Sequence, residues 1–142
     1  MEDPLSCIKS ANKLPHILAR AAAEDLGADD ALLLNHRGEV CEASGSNLFW
    51  IAGGTICTPP TAAGALAGTA RGWLLEYCAQ AGLPTAQACI TPRDLAAAEG
   101  IFLTNSVQGI TEVSQLEGDL IPRSPLVAQL KSAFDTALRA GH

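Results

Sequence analysis

The sequence predicts an α+β domain in which short strands are mixed with about four helices. Short apolar runs, such as residues 31–34 and 101–104, are bounded by glycine-rich or polar turns, as buried strands are. Residues 15–26 instead carry apolar side chains at roughly the period of a helix. With 142 residues, of which 48% are hydrophobic and 17% charged, the chain is long enough for one domain, residues 1–142, with a packed core.

In the first half of the chain, glycines and prolines divide the apolar segments into one helix and four strands. Pro15 suits the first turn of the helix, and Gly27 follows its end. Gly53 and Gly54 form a typical two-residue hairpin turn between two strands. The predicted helix covers residues 15–26, and the predicted strands cover 31–34, 40–42, 47–52 and 55–58.

The second half begins with a loop rich in proline, alanine and glycine over residues 59–68. Gly82 marks the end of the helix that follows this loop. Thr91-Pro92 has the pattern of an N-cap followed by a proline at the first helical position, and Ser124-Pro125 repeats it. The predicted helices cover 69–81, 92–98 and an amphipathic segment from 124 to about 138, and the predicted strands cover 86–90, 101–104 and 110–113.

Composition and charge argue against several classes of function. The net charge is −6 and no basic cluster is present, so nucleic-acid binding is not expected. No apolar run approaches the roughly 18 residues needed to span a bilayer, and the acidic N-terminus does not fit a signal peptide. Five cysteines without CxxC spacing and three histidines give no metal-ligand pattern. We therefore expect no metal, and reduced, mostly buried thiols in a cytoplasmic protein.

Two charged residues are candidates for chemistry. Lys9, just before the first predicted helix, is one of three lysines, and a lysine can form a Schiff base when burial or a neighbouring charge frees its amine. The alternative is a solvated surface charge. Glu42 closes a predicted strand and precedes small residues, so a flat ligand could approach it and a carboxylate there could hold a ring nitrogen protonated. Taken alone, a carboxylate in this position is more often a solvated strand end.

Two short stretches are candidates for binding phosphate. Gly68-Thr69-Ala70-Arg71 leads a loop into a helix, where free backbone N–H groups and the helix dipole favour an anion, although many helices begin in this way. Thr104-Asn105-Ser106 places three polar side chains directly after a buried strand, or forms an ordinary polar turn. Together the four candidates supply an amine, a partner for a ring nitrogen and two phosphate-binding elements, which is what pyridoxal phosphate requires.

Four stretches resemble, in order and spacing, the fold-type IV pyridoxal-phosphate enzymes, which include branched-chain and D-amino-acid aminotransferases and aminodeoxychorismate lyase. The stretches are CIKSANKLPHILAR, VCEASGSNLFW, LAGTARGWLL and IFLTNSVQGITEV. The resemblance implies the C-terminal, cofactor-binding domain of that fold, with a mixed sheet that forms a pseudo-barrel. It makes Lys9 the Schiff-base lysine and the general base. The remaining cofactor-binding residues that it implies are Glu42 at the pyridine nitrogen, Gly68, Thr69 and Ala70 at the phosphate, Ser106 through its hydroxyl, and Asn105 beside the cofactor.

The chain departs from the family pattern in two respects. Many relatives have Gly-Ile-Thr-Arg where this chain has Gly-Thr-Ala-Arg, so Ala70 lacks the hydroxyl that threonine provides there. Family members also carry a further α/β domain before the lysine, which implies that this chain corresponds to the C-terminal half without its N-terminal domain. We therefore expect the isolated chain to bind cofactor poorly and to turn over little. By resemblance, we expect a homodimer that acts on an amino-acid-like substrate.

The second candidate phosphate-binding stretch and the residues that follow it bear on the reaction. Residues 104–110 are more similar to aminodeoxychorismate lyase, which converts 4-amino-4-deoxychorismate to 4-aminobenzoate and pyruvate. Aminotransferases more often carry small and threonine-rich residues there. A branched-chain or D-amino-acid aminotransferase is the alternative enzyme. An inactive fragment or a non-catalytic binding module is the alternative outside catalysis.

Overall fold

The computed structural model describes the backbone of residues 5–12 and 16–141 and the side chains of residues 17–141. In this part of the chain, nine strands and four α-helices confirm the α+β class. The strands are β1 (Leu5–Asn12), β2 (Asp30–Leu34), β3 (Val40–Ala43), β4 (Asn47–Ala52), β5 (Thr55–Thr58), β6 (Thr85–Gln87), β7 (Gly100–Asn105), β8 (Gly109–Leu116) and β9 (Asp119–Leu120). The helices are α1 (His16–Asp25), α2 (Thr69–Ala81), α3 (Pro92–Leu95) and α4 (Pro125–Arg139).

All of these strands belong to one mixed sheet with the order β3-β2-β1-β8-β7-β4-β5-β6, and β9 pairs with β8. Strand β1 is parallel to both of its neighbours, and β5 is parallel to β6, whereas the other pairs are antiparallel. The two ends of the sheet approach each other, because the Val40 N–H on β3 donates to the Ile90 carbonyl just beyond β6 at 2.8 Å. This near-closure agrees with the expected pseudo-barrel.

Side chains alternate between two apolar clusters on opposite faces of the sheet. Leu48 and Trp50 belong to the cluster on one face, which also includes Leu95 of α3. Phe49 belongs to the cluster on the other face, where α2 and α4 pack and where its ring stacks on Phe102 with centroids 5.1 Å apart. Helix α1 packs its alanines on β2 in a third, smaller cluster. Because β4 and β7 are buried on both faces, the residues at their ends are held in fixed positions.

Strand β1 is the main element that the sequence did not predict. Lys9 was expected just before a helix, but it lies within β1 with its Cα in register with Ala31 of β2. A central strand flanked by parallel neighbours usually reads as an apolar run, and β1 instead includes Ser6, Lys9 and Ser10. Its pairing with distant β8 is therefore not visible in the local pattern. Pro15, expected in the first turn of α1, lies outside the described residues.

Several boundaries also differ from the prediction. Glu42 lies inside β3 rather than closing it. Strand β6 ends at Gln87 rather than at residue 90: the Ala88 N–H still donates to the Thr58 carbonyl of β5, but the Ile90 carbonyl already accepts from β3. Helix α3 ends at Leu95 rather than at 98, although its predicted N-cap is present, with the Asp94 N–H donating to Thr91 Oγ1 at 3.3 Å. The described helices include none long and apolar enough to cross a bilayer.

Candidate functional site

A cavity of about 240 Å³ lies between the turn after β3, the start of α2 and the turn after β7. Three connections that are far apart in sequence therefore meet at one place on the sheet. The cavity is lined by six of the seven predicted site residues: Glu42, Gly68, Thr69, Ala70, Asn105 and Ser106. Their roles in binding a cofactor remain predictions.

Glu42 is a buried carboxylate in the wall of this cavity. It is 5% exposed, and it is paired across the sheet with Leu33 of β2. Its Oε1 accepts a hydrogen bond from the backbone N–H of Leu66 at 2.9 Å, which holds the loop before α2 against β3. Glu42 is thus a buried carboxylate that lines the cavity and is held in place by the protein.

The loop before α2 is fixed by a second buried polar residue, Asn47 at the start of β4. Its Nδ2 donates to the Leu66 carbonyl at 2.7 Å. Its Oδ1 lies so close to Gly68 that a Cβ on residue 68 would be 2.4 Å from it. Gly68 has ordinary backbone angles, φ −67° and ψ 154°, so the lack of space, and not its conformation, requires glycine here.

The first turn of α2 faces the cavity and can bind an anion. Gly68 is its N-cap and has no side chain to accept from the first N–H groups of the helix. These N–H groups have no intrahelical partner, and the helix dipole adds partial positive charge at the same end. Thr69 and Ala70 line the cavity, so the backbone of this turn is available to a phosphate.

Asn105 links the two loops on the other side of the cavity. Its Oδ1 accepts from the backbone N–H groups of Val107 and Gln108 at 2.9 and 2.6 Å. Its Nδ2 donates to Ser46 Oγ at 3.0 Å and to Gln108 Oε1 at 3.2 Å. Asn105 therefore fixes the turn that presents Ser106, whose side chain is exposed at the cavity.

Lys9 can be placed through its backbone. Its partner across the sheet is Ala31, whose carbonyl accepts a hydrogen bond at 3.0 Å from the N–H of Ser44, a cavity-lining residue. The backbone of Lys9 is thus one strand away from a residue that is bonded directly to the wall of the cavity.

Seven residues that line the cavity were not among the predicted site residues, and three of them bear on its geometry. Asn47 looks like an ordinary residue at the start of a strand, and Leu66, which is 69% exposed, looks like an apolar loop residue. Thr104 was noted only as part of a polar stretch, yet it is 2% exposed, and its Oγ1 has no hydrogen-bond partner among the described residues. Only the tertiary structure gives these positions their meaning, because each depends on a contact with a distant element.

Arg71 places a buried positive charge in the first turn of α2. Its guanidinium donates to the Pro59 carbonyl at 3.3 Å and to Gln87 Oε1 at 3.2 Å, and burial lowers its pKa. Such a charge strengthens the preference of this end of the helix for an anion. Within the described residues, no three His, Cys, Asp or Glu side chains are grouped so as to hold a metal ion.

Comparison of the sequence with known proteins gives relatives with more than one named activity. A probable branched-chain-amino-acid aminotransferase of Synechocystis sp. is 35% identical over 132 residues, covering 92% of this chain and 43% of the relative. A D-alanine aminotransferase of Listeria innocua is 34% identical over 131 residues, covering 89% of this chain and 45% of the relative. The chain thus spans less than half the length of these curated relatives.

Solved structures share the fold over nearly the whole chain. A putative 4-amino-4-deoxychorismate lyase from Legionella pneumophila matches with a TM-score of 0.90 and 27% identity, covering 96% of this chain and 57% of the other. A branched-chain aminotransferase from the archaeon Thermoproteus uzoniensis, with norvaline, matches with a TM-score of 0.91 and 23% identity, covering 98% and 54%. The model of the amino-transferase class IV family matches residues 1–116. The chain therefore belongs to the amino-transferase class IV family, whose members are pyridoxal-phosphate-dependent aminotransferases and lyases.

Proposed function

We propose that the cavity binds pyridoxal 5'-phosphate and that this chain contributes the cofactor site of a class IV enzyme. The observation that carries the proposal is that the Glu42 carboxylate, the start of α2 and the Ser106 turn line one cavity. A pyridine nitrogen requires an acidic partner, and a phosphate requires N–H and hydroxyl donors. The cavity contains both kinds of group.

The residues present fit this cofactor. Gly68 leaves the start of α2 without a side chain, and a Cβ at this position would clash with Asn47 Oδ1. The buried Glu42 is held by the Leu66 N–H and by its strand, so its orientation is set before a ligand arrives. At about 240 Å³ the cavity is smaller than the ~300 Å³ at which ligand pockets begin, and it is open to solvent. This openness supports weak binding by the isolated chain.

In the proposed mechanism, each residue has a separate task. When bound, pyridoxal phosphate supplies an electron sink for a bond that breaks at the substrate α-carbon. Lys9 would anchor the cofactor covalently and carry the α-proton on its Nζ. Glu42 would keep a proton on the ring nitrogen, and the N–H groups of Thr69 and Ala70, with the Ser106 hydroxyl, would hold the phosphate.

For the reaction we propose lyase chemistry of the aminodeoxychorismate type, giving 4-aminobenzoate and pyruvate. The polar Thr104-Asn105-Ser106 segment and the similarity to the Legionella protein support it. Transamination of branched-chain or D-amino acids is the second candidate, favoured by the names of the Synechocystis and Listeria relatives. Both begin with the same removal of the α-proton, so the cofactor site described here serves either.

We also propose that the chain works with further polypeptide. Ile17, Leu18 and Leu26 on and just after α1 are 83%, 58% and 70% exposed, and Val107 beside the cavity is 88% exposed. These side chains support an apolar contact with an N-terminal α/β domain and with a second copy in a homodimer. We propose a cytoplasmic location, in keeping with the buried free thiols of Cys41, Cys57 and Cys78.

Cofactor binding is tested by titrating the chain with pyridoxal phosphate and recording the visible absorption band of the lysine adduct. The band is expected with the wild-type chain and with Lys131→Ala, and it is expected to be lost in Lys9→Ala. Lys131 is a suitable control because it is partly exposed and its Nζ donates to the Ile110 carbonyl, away from this cavity. No band with the wild-type chain, alone or with the N-terminal half of a relative added, would favour a non-catalytic module.

The reaction is tested with the same chain after the N-terminal half of a relative has been added. Release of 4-aminobenzoate and pyruvate from 4-amino-4-deoxychorismate is expected. Formation of keto acids from D-alanine or leucine, without 4-aminobenzoate, would replace the lyase proposal by the aminotransferase one. The isolated 142-residue chain is expected to show little turnover of either kind, and substantial activity of that chain would contradict the need for a further domain.

A further inference from the structure

Thr104, near the end of β7, is a buried threonine. Its Oγ1 has no hydrogen-bond partner among the described residues, and the side chain is 2% exposed. A buried polar atom left without a partner costs about 1–3 kcal/mol, so such atoms are few in native proteins and are often explained by a ligand or an ordered water. Thr104 lines the cavity that also contains the start of α2.

The strand pairing places this hydroxyl on the side of the sheet where α2 begins. Thr104 of β7 is paired with Asn47 of β4, and directly paired residues point to the same face. Asn47 contacts Leu66 and Gly68 at the N-terminus of α2. The Thr104 side chain therefore lies on the face beneath the first turn of that helix, as do Phe49 and Phe102 further along the same pair of strands.

At the second residue of α2, Ala70, only the backbone N–H can donate to an anion, because alanine has no hydroxyl. Thr104 is the threonine of β7 that can add one from the floor of the same cavity. An anion at a helix N-terminus is held better when side-chain hydroxyls complete its shell of donors.

We propose that the Thr104 hydroxyl is a further phosphate ligand of this site, donating to a phosphate oxygen at the N-terminus of α2. This inference rests on the proposed cofactor site and adds a residue to it. A threonine that donates only when a ligand is bound would destabilise the empty protein and would increase the affinity of the protein for that ligand. A threonine that satisfies only the fold would not have these opposite effects.

The test is Thr104→Val, which keeps the shape of the side chain and removes the hydroxyl. Its melting temperature without ligand is expected to equal or exceed that of the wild type, because a buried unpaired hydroxyl is lost. Its dissociation constant for pyridoxal phosphate is expected to rise about tenfold, the loss of one hydrogen bond to a charged group. Thr104→Ser, which restores the hydroxyl, is expected to bind within about twofold of the wild type.

Pyridoxal, which has the same ring and aldehyde but no phosphate, separates the phosphate contact from a general disturbance of the cavity. Thr104→Val is expected to bind pyridoxal as the wild type does. Equal affinity of the wild type and Thr104→Val for pyridoxal phosphate would overturn the inference and leave the cofactor site in place. An equal loss for both ligands would also overturn it, because the hydroxyl would then be structural. Failure of the wild type to bind pyridoxal phosphate would instead overturn the proposed cofactor site.

Discussion

Replacing Gly68 by alanine tests whether close packing fixes the start of α2. The added Cβ would lie 2.4 Å from Asn47 Oδ1, so the two atoms must separate by at least 0.6 Å to reach the 3.0 Å limit of real contacts. If Asn47 rotates, its 2.7 Å bond to the Leu66 carbonyl is lost, at about 1 kcal/mol. If instead the helix moves, overpacking costs about 1–3 kcal/mol. We expect Gly68→Ala to lower the free energy of unfolding by about 1–3 kcal/mol.

The assay is urea unfolding followed by the fluorescence of the two tryptophans, of which Trp50 is buried and Trp73 is partly buried. Gly72→Ala is the matched control, because Gly72 is exposed in the same helix and a Cβ added to it would meet nothing within 4 Å. That variant is expected to stabilise the chain by about 0.5–1 kcal/mol. In an Asn47→Ala background the cost of Gly68→Ala should fall by at least half. An unchanged cost there, or equal effects of the two glycine variants, would refute the argument.

Three further predictions concern the site and the thiols. Glu42→Gln keeps the acceptor for the Leu66 N–H but removes the charge, so turnover of the complete enzyme should fall about a hundredfold with little change in melting temperature; Glu39→Gln is the control, and equal turnover of the two variants would exclude the proposed role. Asn105→Ala should loosen the turn that presents Ser106 and raise the dissociation constant for pyridoxal phosphate about tenfold, whereas retained affinity would show that the turn needs no support from this side chain. Burial raises the pKa of the Cys57 and Cys78 thiols, so the unfolded chain loses these protons first as the pH rises. The free energy of unfolding should therefore fall above pH ~8.5, and it should fall less steeply in Cys78→Ala. A free energy of unfolding that does not change up to about pH 10 would contradict this.

Local patterns were sufficient for elements whose ends carry their own signals. Gly82 adopts φ 75° as the residue after α2, and its N–H donates to the Ala79 and Cys78 carbonyls, as the glycine at the end of the predicted helix indicated. Thr91 and Ser124 accept backbone N–H groups at the starts of α3 and α4. In these cases the stabilising contact lies within a few residues of the signal, so a sequence window contains both.

Contacts between distant segments were not predictable in the same way. Strand β1 depends on neighbours from residues 30–34 and 112–116, and β6 ends where the chain crosses to β3. At the candidate site, Glu42 and Gly68 could be singled out as a carboxylate and a glycine before a helix. That Asn47 excludes any other residue at position 68, and that Thr104 lies beneath α2 with its hydroxyl unpaired among the described residues, follows only from the packing.

The position of β1 between two parallel neighbours has a consequence for the order of folding. Leu5 pairs with Glu112, so the strand that contains Lys9 cannot complete its pairing until β8 has been synthesised. Parallel pairing of distant segments forms slowly, because the entropy of closing a long loop is lost before the stabilising contacts are made. Ribosomal synthesis would therefore complete the strand that contains the proposed catalytic lysine near the end, after most of the cavity. Pulsed hydrogen exchange during refolding is expected to protect the amides of β4 and β7 before those of β1. The pairing of this strand with β8 would then form only in chains that have already synthesised the residues of the cavity.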